Sequence, residues 1–201
     1  IYDQYKDRIE GMAISMPGII NPEIGYAFTG GALRYIDKMN IVDILKERCP
    51  INITIGNDAK CAANAEIGYG NLQDIQDGAV VILGTGIGGC LIKDHKVHTG
   101  RHFSAGEFSF VKTNCLDGIG WDYAWSTRNG IKGLLERVQE SLGTNQEYTG
   151  IEIFDMANEG NEKVIEGISQ FCKEVATQIF NVHIIFDCEK VAIGGGISAQ
   201  P

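Results

Sequence analysis

The sequence predicts an α/β fold in two lobes. Apolar, strand-like runs recur along the chain, glycine-containing hairpin signals interrupt them, and amphipathic helical patterns dominate the second half. With 201 residues, 44% of them hydrophobic and 21% charged, the chain is long enough for one sizeable core or two smaller ones. We expect residues 1–70 to belong to the first lobe, 71–78 to form a hinge and 79–201 to form the second lobe.

The first lobe is predicted to contain two strands and two helices. The run "RIEGMAISM" indicates a strand that ends at Pro17 and Gly18, and a long irregular loop is expected after it, through "AFTGGAL". A helix should follow its N-cap, Asn40, and the alternating, β-branched "INITI" predicts the next strand. Asp58 then stands where an N-cap is expected, before an alanine-rich helix.

The stretch "VVILGTGIGGCLI", residues 80–92, contains a G-x-G-x-x-G pattern directly after an apolar strand. A dinucleotide-binding turn would require a helix to begin at these glycines. An apolar segment and the hairpin signal "KDHK" follow instead, so we expect Gly89 to lead into a second strand. Such a hairpin can point backbone N–H groups at phosphates, although a glycine-rich hairpin without a ligand explains the pattern as well.

The remaining elements of the second lobe are mostly helical. The segment "IKGLLERVQESL" predicts a helix that Gly143 ends, and apolar residues at helical spacing predict a long helix from Asn161 to about Asp187. The short strand "KVAI" and a glycine cluster at 194–196 complete the pattern. Strands joined by hairpins and long helices favour the α/β class.

Charge and apolar-run length exclude several classes of partner. The net charge of -9 and the pI near 4.9 argue against a nucleic-acid-binding surface, because neutralising phosphates requires clustered Lys and Arg. No apolar stretch reaches the roughly 18 to 20 residues that cross a bilayer. We therefore expect a cytoplasmic protein with a small-molecule ligand, no nucleic-acid contact and no membrane contact.

The cysteines are predicted to be buried free thiols rather than a disulfide or zinc framework, because they are far apart and never form C-x-x-C. They are Cys49, Cys61, Cys90, Cys115, Cys172 and Cys188.

Two carboxylates are candidates for chemistry. Asp58, next to Asn57 where a strand meets a helix, can accept the proton of an attacking hydroxyl while the amide binds a neighbouring one. The alternative is that Asp58 only caps its helix, and the two roles are compatible. Glu107, in "AGEF", can accept hydrogen bonds from vicinal sugar hydroxyls, or it is an ordinary surface carboxylate.

Five segments in order, "SMPGIINP", "NDAKCAANAE", "LGTGIGGCLI", "SAGEF" and "VAIGGGIS", resemble the ROK family of sugar kinases, open reading frames and sugar-responsive repressors. The similarity runs over essentially the whole chain. It implies an actin-like ATPase fold of the ribonuclease H-like, hexokinase type, with two lobes and with ATP and sugar bound between them. It also implies transfer of the ATP γ-phosphate to a sugar hydroxyl with Mg²⁺.

The resemblance assigns a role to individual residues. Asp58 matches the family's catalytic base, Asn57 its sugar-binding amide and Glu107 its sugar-binding glutamate. Gly18 and Gly31 fall where the family's sugar loop approaches the ligand. The glycine-rich positions fall into two groups: the phosphate-binding hairpin is matched by Gly84, Thr85, Gly86 and Gly88, and the nucleoside-side turn by Gly194, Gly195 and Gly196.

The sequence departs from the family around the sugar and zinc positions. Phe110 replaces the histidine that binds sugar and a structural zinc, and "TNCLDGIGW" replaces the cysteine-rich zinc segment, so we expect no zinc. The spacing to Ser126 suggests that Asp122 takes the place of a sugar-contacting glutamate. The sugar specificity is therefore left open.

The ends also differ from the family pattern. Residues 1–12 do not resemble the Asp-x-Gly-Gly-Thr strand that holds magnesium and phosphate, and the chain stops where members continue, so it looks like an internal piece of a longer protein. A kinase is the leading hypothesis, a sugar-sensing repressor domain is the alternative, and a Rossmann dehydrogenase is a distant third. The family's habit of dimerising implies a homo-oligomer.

Overall fold

The computed structural model describes residues 2–114 and 120–200, and Cys115 lies outside this range. The helices are α1 (Tyr2–Tyr5), α2 (Ile41–Lys46), α3 (Asp58–Tyr69), α4 (Trp125–Asn129), α5 (Ile131–Leu142), α6 (Gly150–Asn158) and α7 (Glu162–Phe186). The strands are β1 (Gly11–Met16), β2 (Ile20–Asn21), β3 (Tyr26–Ala27), β4 (Met39–Asn40), β5 (Asn52–Asn57), β6 (Gly78–Leu83), β7 (Ile87–Lys93), β8 (Lys96–His98) and β9 (Lys190–Gly194). Short 3₁₀ turns cover Arg34–Ile36, Phe108–Phe110 and Trp121–Tyr123.

The chain forms two compact units. Unit 1 contains the residues up to Ala62 together with Thr99–Ala105, and unit 2 contains Ala63–His98 and the residues from Gly106 onward. The units therefore divide within α3, and not at the segment 71–78 that the sequence suggested as a hinge. Leu72 and Ile75 of that segment are each 1% exposed and belong to a hydrophobic core of unit 2.

Unit 1 is built on a parallel pair of strands. β1 and β5 are aligned from Gly11 opposite Asn52 to Met16 opposite Asn57, as expected for two β-branched or apolar runs of equal length. Their buried side chains pack with Val42 of α2 and with Ile20 and Ala27 in the segment after β1. This core consists of Met16, Ile20, Ala27, Val42, Cys49, Ile53 and Ile55.

Unit 2 has a four-stranded sheet in the order β8-β7-β6-β9, in which only the β6–β9 pair is parallel. Alternate residues of β6 enter different cores. Ala79, Val81 and Leu83 pack with α5 and α7, whereas Val80 packs with Ala63 and Leu72. Both faces of the sheet are therefore covered, which explains why β6 reads as a continuous apolar run.

Most element predictions are confirmed. β6 and β7 form an antiparallel hairpin, so Gly89 does lead into a strand. Asp94 and His95, both with positive φ, make the next turn between β7 and β8. Gly143 ends α5 with φ of 66°, and the Asn161 side chain caps α7 by accepting from Val164 N.

Three further expectations need correction, and one helix was not expected. The loop after Gly18 is not irregular but contains the short antiparallel strands β2, β3 and β4. The N-cap of α3 is Asn57, whose Oδ1 accepts from Lys60 N at 3.1 Å, and Asp58 is the first helical residue. α6 was not predicted, although its capping box between Thr149 and Glu152 is a sequence signal.

The third correction concerns the thiols. Cys49, Cys90 and Cys188 are buried as expected, Cys61 is half-buried, and Cys172 is exposed on α7.

Along the part of the chain that the structure describes, no helix is long and apolar enough to cross a membrane.

Candidate active site

Asp58 is exposed at the first position of α3, directly after the buried end of β5. Its Oδ1 accepts a hydrogen bond from Ala59 N at 2.8 Å, which orients the carboxylate at the helix start. The second oxygen has no bond among those found in residues 2–114 and 120–200. An oriented and solvent-accessible carboxylate has the geometry that a general base requires.

Asn57 is 5% exposed and joins two parts of unit 1. Its Nδ2 donates to Gly18 O at 3.0 Å, while its Oδ1 caps α3. The amide predicted to bind a sugar hydroxyl thus holds the loop after β1 against the start of the Asp58 helix. A second amide hydrogen remains for a ligand, since the NH₂ group has two donors.

The glycines of this loop are required by close contacts. Gly18 has φ of 109°, and a Cβ there would lie 2.0 Å from Thr29 O. Gly31 has φ of 59°, and its Cβ would lie 3.2 Å from Gly18 N. The structure therefore brings Gly18, Gly31, Asn57 and Asp58 together in unit 1.

The loop between β6 and β7 is a tight turn in which Gly84 N donates to Gly86 O at 3.0 Å. Thr85 is exposed at its tip. A Cβ on Gly84 would meet nothing within 4 Å, so one side of this loop is open. Gly88 lies in β7, paired with Ile82, and is therefore part of the strand rather than of the turn.

The opposite side of the same turn rests on α4 and α5. Ser126 Oγ accepts from Ile87 N at 3.1 Å, and a Cβ on Gly86 would lie 2.1 Å from that oxygen. Ile131 N, at the start of α5, donates to Gly84 O at 2.9 Å. These contacts preorganise the turn and leave the amides of Thr85 and Gly86 without a backbone acceptor in the described part of the chain, as phosphate binding would need.

The second glycine cluster lies beside this turn. Gly194 ends β9 opposite Ile82, and Gly195, with φ of 102°, would place a Cβ 2.3 Å from Leu83 O. Because Leu83 immediately precedes Gly84, the two predicted nucleotide-binding segments meet at the carboxyl end of β6. Gly196 faces open space.

A partly buried ion pair supports α4 and α5. Arg137, 5% exposed, donates from Nε and Nη2 to the Glu174 carboxylate at 2.9 and 3.1 Å, and Asn129 Nδ2 donates to it at 3.2 Å. The hydrogen bonds that Arg137 donates to Glu174 raise the pKa of Arg137 against the opposing effect of burial. Burial raises the pKa of Glu174, but its hydrogen bonds and charge attraction with Arg137, together with hydrogen bonds from Gln170 and Asn129, outweigh this, so the net pKa is below the usual range.

Glu107 and Asp122 are on neighbouring segments of unit 2. Glu107 precedes the 3₁₀ turn Phe108–Phe110 and is half-buried, while Asp122 is exposed in the turn Trp121–Tyr123. Phe108, which follows Glu107, packs against Trp125 at the start of α4, with ring centroids 5.6 Å apart.

Phe110, which stands where the resemblance expects a zinc-binding histidine, belongs to an aromatic cluster. Phe110 packs edge-on against Trp121 at 5.4 Å, and Lys112 Nζ lies 5.5 Å from the Trp121 ring centroid. Within residues 2–114 and 120–200, no group of three or more His, Cys, Asp or Glu side chains is arranged to hold a metal ion. Cys115, in the segment compared with the zinc motif, lies outside the described residues.

Two polar residues with direct contacts to the candidate site were missed in the sequence. Lys60 donates from Nζ to Phe103 O at 3.0 Å, although only 6% of it is exposed. Ser126, used above only to count spacing, supports the glycine turn. The sequence does contain one sign that Lys60 has a special role. It is a charged residue among the alanines of α3, on the side that faces the core, where lysine is rarely found without a partner.

The structure of this α/β protein thus offers two adjoining glycine turns at the end of strand β6 and an oriented carboxylate at the start of α3. The chain belongs to the ROK family, whose model matches residues 1–201. It is similar to a beta-glucoside kinase of Listeria monocytogenes, with 33% identity over 197 residues, covering 96% of this chain and 66% of that protein.

Two further relatives agree with the family assignment. An N-acetyl-D-glucosamine kinase of Haemophilus influenzae is 28% identical over 98% of this chain and 68% of that protein. The crystallised Lmo2764 protein from Listeria monocytogenes superposes with a TM-score of 0.87 at 30% identity, covering 100% of this chain and 69% of that one. The fold is thus the actin-like ATPase fold of ROK sugar kinases. The chain spans about two thirds of the length of the first curated relatives it matches.

Proposed function

We propose that the full protein is an ATP-dependent sugar kinase that phosphorylates a hydroxyl of a hexose or hexose derivative. The observation that carries the proposal is the exposed carboxylate of Asp58, oriented at the start of α3 and adjoining the glycine loop that Asn57 holds. The kinase names of the curated relatives support the same reaction class. Those names differ in the sugar, so the proposal extends to β-glucosides, N-acetylated hexoses and free hexoses.

Asp58 acts as the general base in this proposal. It takes the proton of the sugar hydroxyl as that oxygen forms a bond to the γ-phosphorus, while the bond from the γ-phosphorus to the bridging oxygen breaks and ADP leaves. Glu107 and Asp122 accept hydrogen bonds from other hydroxyls, and Gly18 and Gly31 allow the backbone to approach the sugar. Positioning supplies much of the acceleration in such a transfer.

The nucleotide is assigned to the glycine segments of unit 2. The free amides of Thr85 and Gly86 would donate to phosphate oxygens, with Gly84 giving the turn its shape and Gly88 bordering it from β7, and Gly194, Gly195 and Gly196 would border the nucleoside. ATP requires Mg²⁺ for phosphoryl transfer, and the ion neutralises developing phosphate charge when bound.

The cellular setting is proposed from the sequence alone. We infer a cytoplasmic homo-oligomer that contacts sugar and ATP through these residues and does not bind nucleic acid. The acidic net charge of -9 supports the last point.

The test is a kinase assay of the full-length protein on glucose, N-acetylglucosamine and cellobiose, with Asp58→Asn beside the wild type. Loss of the base should lower kcat by about 100-fold or more, with the KM for sugar changed only slightly. Asp43→Asn, in the first turn of α2 and also exposed, is the matched control and should behave as the wild type. Equal activity of Asp58→Asn and wild type would refute the base assignment, and sugar binding without phosphorylation by the wild type would favour a repressor domain.

A further inference from the structure

Lys60 is a buried lysine two residues after the proposed base. It lies in the first turn of α3, is 6% exposed, and donates from Nζ to Phe103 O at 3.0 Å. Burying an ammonium group is costly unless its hydrogen bonds compensate for the lost water. The contact with Phe103 therefore ties the segment around it firmly to the start of the Asp58 helix.

The segment that Lys60 contacts is a closed loop, Thr99–Ala105. Its ends are joined by Ala105 N donating to Thr99 O at 3.1 Å. Among the described residues after Ala62, this loop belongs to unit 1, since the chain leaves unit 2 after His98 and returns to it at Gly106. Residues 99–105 thus leave unit 2, and their position depends on contacts with the rest of unit 1.

Phe103 is held in this loop by both its backbone and its ring. Its φ of 59° is unfavourable for a residue with a Cβ and needs compensating contacts. The carbonyl accepts from Lys60, and the ring stacks on Phe28 with centroids 5.9 Å apart and planes 21° apart. Phe28 N in turn donates to Ile19 O, next to Gly18, so the same loop is tied to both predicted sugar-side elements of unit 1.

The loop ends next to Glu107. Gly106, with φ of 75°, passes close to β7, since a Cβ there would lie 2.7 Å from Leu91 N. The residue directly before Glu107 therefore lies against β7, and the residues before that belong to the loop that Lys60 binds. A change in the loop must be transmitted to Glu107 through a single residue.

We propose that Lys60 is a positioning residue that fixes the loop Thr99–Ala105 and, through it, sets the affinity for the sugar. It does not touch the reacting atoms. The identity of the ligand as a sugar rests on the proposed function, whereas the attachment of the loop does not.

The attachment is tested by limited trypsin digestion of the full-length protein, with mass spectrometry of the cut after Arg101. Arg101 is exposed within the loop. Lys60→Met keeps the length and volume of the side chain but removes the donor to Phe103 O, and it should speed this cut by about tenfold or more, because hydrogen bonds from a charged group contribute at least that much. Lys46→Met, an exposed lysine of unit 1, is the matched control and should leave the rate unchanged.

The effect on the sugar is tested by kinetics of the same variants. Lys60→Met should raise the KM for sugar about tenfold and leave the KM for ATP within about twofold, a split that general destabilisation would not produce. Lys60→Arg, which keeps a donor and the charge, should recover part of the affinity. Phe103→Leu removes the ring stack but keeps the carbonyl contact, and should raise the same KM by a smaller factor, so a folding failure of Lys60→Met would not end the test.

The outcomes separate the inference from the proposed function. An unchanged Arg101 cut in the variants, or equal rises in the two KM values, overturns the role of Lys60 while the kinase assignment stands. A wild type that phosphorylates no sugar overturns the proposed function and the sugar part of this inference, and the trypsin rates then decide whether Lys60 holds the loop.

Discussion

The two regions proposed to carry the reaction are built differently. In the turn Gly84–Gly86, the groups offered to a ligand are backbone amides, and α4 and α5 support the turn from behind. In the region around Asp58, the offered group is a side-chain carboxylate, and side chains of Asn57 and Lys60 hold the surrounding segments. The first region is a backbone site and the second is a side-chain site.

This difference decides which substitutions each region tolerates. A backbone site fails when a Cβ displaces the main chain, even though no functional side chain is lost. A side-chain site fails when a long-range hydrogen bond is removed, because its members are distant in sequence: Asn57 lies 39 residues from Gly18, and Lys60 lies 43 residues from Phe103.

The largest effect is expected from Gly195→Ala in the backbone site. The new Cβ would lie 2.3 Å from Leu83 O at a φ of 102°, so strain and overlap together should cost about 3 kcal/mol or more. Gly196→Ala, where nothing lies within 4 Å, should cost less than about 1 kcal/mol. Urea unfolding measures both, and equal losses would show that the turn is not constrained by Leu83.

The next largest effect is expected from Asn57→Ala in the side-chain site. The change removes the bond to Gly18 O and the cap on Lys60 N, both at a buried position, and should cost about 2 to 3 kcal/mol. Asn40→Ala removes the cap of α2 alone and should cost about 1 kcal/mol. If the two variants unfold at the same urea concentration, the bond between Asn57 and Gly18 contributes nothing.

A smaller effect, with a diagnostic pattern, is expected from Gly86 and Ser126. Gly86→Ala places a Cβ 2.1 Å from Ser126 Oγ but 3.5 Å from its Cβ, so it should be destabilising alone and tolerated beside Ser126→Ala. The double-mutant cycle should give a coupling of about 1 kcal/mol between the two positions. Strictly additive changes in unfolding free energy would mean that Ser126 does not limit the turn.

The smallest effect is a pH dependence of the unfolding free energy. It comes from the ion pair between Arg137 and Glu174, which supports the helices behind the glycine turn. Glu174 has a lowered pKa in the folded protein, so its stabilising contribution is present above its unfolded pKa and is lost as the pH falls through the folded value. The double variant Arg137→Met, Glu174→Gln should therefore lose less stability than the wild type between pH 5 and pH 3, a window placed by the usual glutamate pKa of about 4.3. Identical acid profiles in thermal melts would contradict this.

Local signals were sufficient for most elements. The β6–β7 hairpin followed from apolar runs on both sides of the glycines, and the ends of α5 and α7 followed from Gly143 and Asn161. The expectation of an irregular loop after Gly18 was wrong, because strands of two residues are too short to show the alternation of apolar and polar residues. Asp58 was misassigned as the cap because Asn57 and Asp58 are both good N-caps, and only the path of β5 places Asn57 at that point.

The candidate residues could be named from the sequence, but their supports could not. Gly84, Gly86 and Gly195 stand out by composition, and the ordered motifs resembled a family that the comparison confirms. Ser126 and Lys60 carry no local pattern that links them to Gly86 or Phe103. Their contacts span tens of residues and arise only when the strands have paired.

The sequence by itself determined the α/β class, the hairpin at 80–92, the main helices and the family, because hydrophobic period, caps and glycine placement act over a few neighbouring residues. The tertiary structure alone decided that Asn57 binds the Gly18 carbonyl, that α4 and α5 support the glycine turn, and that the loop Thr99–Ala105 joins unit 1. Those contacts depend on packing between distant segments, and a buried polar group reveals its partner only when the core that excludes water around it has formed.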